Sequence, residues 1–103
     1  MNAVKNPCLS SKWAVIYKVK ACEGTVIEGK PWMPPHKILD QWCKFYIDKK
    51  RGETWDYFRG REGMYSYQDS ECYYFSFLEE TDAVLIKLKY SDLFEFENIE
   101  YNE

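Results

Sequence analysis

Apolar and polar positions alternate from Trp13 to Ala21. Trp13, Val15, Tyr17, Val19 and Ala21 fall on one side, and Ala14, Ile16, Lys18 and Lys20 on the other. A period of two predicts a strand with one core face and one wet end. Glu23-Gly24 signals a turn, Thr25 to Ile27 offers a short extended return, and Glu28 to Pro31 reads as a loop. The period then changes. After Pro34-Pro35, the residues Ile38, Leu39, Trp42, Cys43, Tyr46 and Ile47 recur at helical spacing, with Lys37, Asp40, Gln41, Lys44 and Asp48 opposite them. Proline suits a first helical turn, where its missing N–H would have no partner anyway. Lys49, Lys50 and Arg51 suit the negative end of a helix dipole, and Gly52 offers a left-handed stop. The spacing predicts a helix over 35–51.

Thr54 to Arg59 reads as a strand, Gly60 to Gly63 as a hairpin turn, and Met64 to Gln68 as the return. Asp69-Ser70 turns the chain again into a central strand, Cys72 to Leu78, which completes a three-strand meander. An acidic cluster follows, Glu79, Glu80, Thr81 and Asp82. Residues 82–90 read two ways. As a strand, Val84, Ile86, Leu88 and Tyr90 alternate with Leu85, Lys87 and Lys89. As a helix, Asp82 is the N-cap and Glu79 and Glu80 lie at the positive end of the dipole. From Leu93 to Tyr101, apolar and acidic residues alternate, the pattern of an edge strand. Strand, helix, strands and a second, shorter helix is the order of an α+β, ferredoxin-like sandwich: one antiparallel sheet, helices on one face, the other face open. Residues 1–11, polar and containing Pro7, make a flexible arm; 12–91 form a single domain; 92–103 form an acidic C-terminal segment.

A chain of 103 residues supports one core. Five of its 17 acids lie from Asp92 to Glu103, where there is no Lys or Arg, so the net −3 is a +2 body with a −5 tail. Aromatic residues are 18% of the chain, nine of them Tyr. Tyr and Trp carry a polar tip on a large apolar body, which suits binding surfaces as well as cores. No run approaches the roughly 20 apolar residues of a membrane span. Cys8, Cys22, Cys43 and Cys72 stand apart, and the first residues carry no apolar signal segment, so the expectation is a cytoplasmic protein with reduced thiols and no membrane partner.

The candidate chemistry is thin. His36 is the one histidine; on a helix it shares a face with Asp40 and Cys43, but seven residues separate His36 from Cys43, roughly 10 Å along the axis. A first-turn polar His and a core-facing Cys explain the pair. No two of Cys8, Cys22, His36, Cys43 and Cys72 have the short spacing of a structural zinc site. The carboxylates at Glu79-Glu80 and along the tail sit where solvent is expected, and no phosphate loop or nucleophile motif occurs. The sequence therefore predicts no catalytic residue, metal or cofactor.

Cys72 to Tyr90 resembles a recurring pattern in small proteins of tailed bacteriophages: an F-x-F strand, acidic residues, D-A, then K-L before an aromatic. Here these are Phe75, Phe77, Asp82, Ala83, Lys87, Leu88 and Tyr90. Leu85-Ile86 and Tyr90-Ser91 depart from it. The resemblance implies a helix starting at Asp82-Ala83 and a viral accessory protein acting on a host protein. The same segment looks like the third strand and second helix of an RNA-recognition motif through Tyr74 and Phe77, although Ser70 and Glu71 replace a basic residue and Gly, and Cys72 an exposed aromatic. The expected anchors for a host partner are Trp55, Tyr57, Arg59, Arg61, Tyr65 and Tyr67 of the hairpin, since binding hot spots favour Trp, Tyr and Arg. Phe94, Glu95, Phe96 and Glu97 of the tail add apolar and charge complementarity. The alternative is a single-stranded nucleic acid held by the same aromatics with Arg59 and Arg61. A homodimer through the open sheet face or an edge strand would cover the aromatic surface.

Overall fold

The computed structural model describes residues 7–22, 24, 36–61 and 71–101. The elements are β1 (Val15–Ala21), α1 (His36–Tyr46), β2 (Trp55–Arg61), β3 (Glu71–Phe77), α2 (Glu80–Tyr90) and β4 (Phe94–Asn98). The sheet order is β2-β3-β1-β4, with every neighbouring pair antiparallel. β1 and β2 thus flank β3, and β3 and β4 flank β1, with a helix in each crossover. This is the ferredoxin-like α+β sandwich.

Strand alternation decides what each face carries. Val15, Tyr17 and Val19 stand opposite Phe77, Phe75 and Tyr73 of β3. Trp55 and Tyr57 stand opposite Phe77 and Phe75 from the other side. Phe94 and Phe96 complete this face opposite Ala21 and Val19. Leu39, Trp42 and Cys43 of α1 and Ala83, Ile86 and Tyr90 of α2 close over it to form the core. The Tyr17 hydroxyl donates to the Ala83 carbonyl (3.3 Å), tying β1 to α2.

The 82–90 segment is helical, and its N-cap is Glu79, in extended backbone and without a side-chain cap bond. Asp82, the expected cap, lies in the first turn. α1 ends at Tyr46, short of the expected residue 51. The N–H groups of Ile47 and Asp48 both donate to the Cys43 carbonyl (3.0 and 3.1 Å), which closes the helix. The Asp48 carboxylate then accepts from Lys50 N–H (2.9 Å) and its carbonyl from the Trp55 indole N–H (2.9 Å). Gly52 does take a positive φ of 110°, but in the turn into β2, where its N–H donates to the Trp55 carbonyl (2.7 Å).

Two further expectations change. β2 bonds directly to β3 along its whole length, so these strands are neighbours and not the outer strands of a meander; the expected return at 64–68 lies outside the described residues, as does that at 25–27. Trp13 does not continue the inward side of β1. Its chain turns through Ser10 to Ala14, its indole N–H donates to the Pro7 carbonyl (2.9 Å), and its ring joins Cys8 and Ile16 on the opposite face of the sheet. Leu9, Phe58, Tyr74 and Ile99 pack against that cluster. Cys8 and Leu9, from the stretch 1–11 expected to be a flexible arm, join Trp13 and Ile16 in a second small core on the sheet face expected to be open.

Candidate interaction surface

The expected binding residues divide between core and surface. Trp55 is fully buried and Phe94 nearly so, both beneath the helices. Neither presents a ring to a partner. Tyr57 is half-buried on the same face, in a stack with His36 (5.7 Å) and Tyr73 (6.3 Å), and His36 lies 4.0 Å from Tyr73. The Arg51 guanidinium stands over Tyr57 at 5.9 Å. Arg59 is exposed on edge strand β2, opposite Tyr73. Arg61 ends that strand opposite Glu71, its side chain outside the described set. Tyr65 and Tyr67 also lie outside it. Phe96 is half-buried, edge-on to Tyr17 at 5.4 Å. Glu95 and Glu97 are exposed on the other face, where β4 sets them opposite Lys20 and Lys18. The tail therefore meets positive charge within its own chain, and among the described residues no one surface gathers the expected ones.

Burial also decides the thiols. Cys43 is fully buried, and burial first, then Asp40 and Asp82, push its thiol well above the usual range. Cys8 is pushed up to about 12, chiefly by burial, and its thiol donates to the Tyr74 carbonyl at 3.5 Å. A nucleophilic cysteine needs the opposite shift. Among the described residues, no three His, Cys, Asp or Glu side chains gather as a metal-binding group, and no helix is long and apolar enough to cross a membrane. Of Cys8, Cys22 and Cys43 in native protein, a thiol reagent is expected to modify half-buried Cys22 first, with Cys8 and Cys43 reacting only on unfolding. The pH dependence follows. In the unfolded chain these thiols ionise near 9.0, whereas the folded state holds them protonated. Stability should be level on their account below about pH 9 and fall as pH rises above it. Melting curves from pH 7 to 11 check this.

The surface that does gather apolar residues is on α2. Ala83, Ile86 and Tyr90 point inward, yet the outward side is apolar as well. Val84 is 46% exposed, Leu85 54% and Leu88 72%. At 100° per residue these three, with Thr81, form one stripe along the helix, and Glu80, Asp82, Lys87 and Lys89 border it. On α1, Phe45 and Tyr46 are exposed as well, 4.8 Å apart. Burial first, then Tyr46 and Cys43, raise the Tyr90 hydroxyl above its usual range. The signal for the stripe was in the sequence: AVLIKLKY holds more apolar residues than one helix face accommodates. It was obscured because the same residues also alternate as a strand.

Compared with models of protein families, with curated proteins and with solved structures, the chain matches none.

Proposed function

We propose that this chain is a non-catalytic protein-binding protein, with the outer face of α2 as its main association surface. One observation carries the reading: α2 is apolar on both sides and only one side is packed. Helices that are apolar all round are ordinarily buried all round. Full burial of a Val or Leu side chain is worth about 1.5–3 kcal/mol, and Val84, Leu85 and Leu88 retain roughly half or more of it to gain. Exposed Arg59 with half-buried Tyr57 on β2 offers a second, more polar contact. In the setting implied by the resemblance of Cys72 to Tyr90 to phage proteins, that contact takes a host protein in the cytoplasm, and the protein modulates its target by occupying it.

The nucleic-acid alternative has less support. The sheet face bearing Phe58 and Tyr74 also bears Glu95 and Glu97 opposite its lysines, and the Cys8–Trp13 cluster packs there. Phosphate binding needs a net positive track.

The test is affinity capture of tagged wild-type chain and of a Leu85→Asp/Leu88→Asp variant, from bacterial lysate that also expresses untagged chain. Expected are protein partners, another copy included, that survive nuclease treatment and disappear with the variant. Partners lost to nuclease in both baits would move nucleic acid to first place.

A further inference from the structure

We infer that the partner of the α2 stripe is a second copy of this chain, with the two α2 helices packed antiparallel about a twofold axis. The inference rests on the reading of the stripe as an association surface, and adds the occupant. Thr81, Val84, Leu85 and Leu88 follow the i, i+3, i+4, i+7 spacing of a helix–helix seam. A twofold axis passing between Val84 and Leu85 sets Leu85 against Val84 of the other copy and Leu88 against Thr81. Bulky and small residues then alternate across the seam, as interdigitation requires.

Charge selects the direction. The first turn of α2 is acidic, with Glu80 and Asp82, and the last turn is basic, with Lys87 and Lys89. Glu80 and Lys87 border one side of the stripe, and Asp82 and Lys89 the other, because seven residues return to nearly the same side of a helix. In an antiparallel pair each border meets the same border of the other copy, reversed. Glu80 then faces Lys87, and Asp82 faces Lys89, on both sides of the axis. A parallel pair would bring opposite borders together and set Glu80 beside Asp82 and Lys87 beside Lys89, like charge against like. The helix dipoles add the same preference, since each positive end lies beside a negative one. The lysine heads already sit at the sides of the helix, over Tyr17 (5.9 Å) and Tyr90 (5.8 Å), and leave the apolar strip between them clear. The helix that carries the seam is only eleven residues long, so the dimer is a concentration-dependent one.

Sedimentation velocity of the purified chain across a wide concentration range tests this. Expected is a mass rising from 12.4 kDa towards twice that value, and a Leu88→Asp variant that stays monomeric. Glu80→Lys/Asp82→Lys and Lys87→Glu/Lys89→Glu variants should each be monomeric alone and associate when mixed in equal amounts. Restoration by mixing also shows that both variants fold. A wild-type chain that is monomeric throughout, or self-association indifferent to these charges, overturns the inference. If the pure chain is monomeric while the capture above still yields an α2-dependent partner, the occupant is wrong and the association surface stands. If there is neither dimer nor partner, both fail.

Discussion

Trp55→Ala is expected to lower stability by about 3–5 kcal/mol, the cost of removing a large buried aromatic and leaving a cavity. The ring is fully buried opposite Phe77. Its indole N–H holds the Asp48 carbonyl, and the carbonyl of Trp55 accepts from Gly52. One residue therefore fills the core and closes the α1–β2 turn. Domain stabilities are typically about 5–15 kcal/mol, so the variant should be near its unfolding threshold at room temperature. Trp55→Phe separates the two contributions: it retains most of the apolar bulk and loses one hydrogen bond, at about 0.5–1.5 kcal/mol. Urea unfolding followed by far-ultraviolet circular dichroism measures both without relying on the altered fluorophore. Were Trp55 a surface anchor, as its place in an aromatic hairpin suggests, the Ala variant would fall within about 0.5 kcal/mol of wild type.

The second large effect is on the opposite face. Trp13→Ala should cost about 3 kcal/mol or more, because Trp13 is the largest side chain of the cluster formed with Cys8 and Ile16. Lys12 makes the segment a strut as well as a cover. Its ammonium lies 4.3 Å from the Trp13 ring and donates to the Gly52 carbonyl at 2.7 Å, joining residues 7–13 to the turn that Trp55 closes. Losing the ring should raise the reactivity of Cys8 in native protein and expose Ile16, Phe58 and Tyr74 to a hydrophobic dye. If the arm were loose over an open face, both properties would remain at wild-type values. The same urea titration, with thiol-labelling rates at Cys8, distinguishes the two.

Most of the architecture was legible because every element except α2 has one dominant pattern. β1 and β3 alternate, α1 repeats at helical spacing, and β4 alternates against acids. The errors arose where one local signal competed with a tertiary bond. Lys49 to Gly52 look like a helix end, yet two N–H groups converging on the Cys43 carbonyl stop α1 earlier. Trp13 fits the alternation of β1 by parity, but the strand begins two residues later and the ring crosses to the other face. The binding residues were less legible for a related reason. Composition identifies an aromatic as costly to expose without saying which are exposed. Trp55 is a leading anchor by residue type, yet it and Phe94 are core by position. The α2 stripe consists of Val and Leu, residues that attract no notice until both faces of the helix are counted.

The sheet order also governs how the chain matures during synthesis. β1 is made first, yet both of its neighbours come late: Val15 waits for Phe77, and Ala21 for Phe94. Among the described strands, only β2 and β3 are consecutive and paired to each other. While the polypeptide is emerging from a ribosome, the most apolar strand has both edges open, and long-range pairing of this kind is slow to form. A nascent chain stalled before β4 would carry β1 as a sticky rim able to recruit a strand from a neighbouring molecule. The alternating glutamates of β4, matched to Lys18 and Lys20, then act as a key that admits the chain's own closing strand over a neutral stranger.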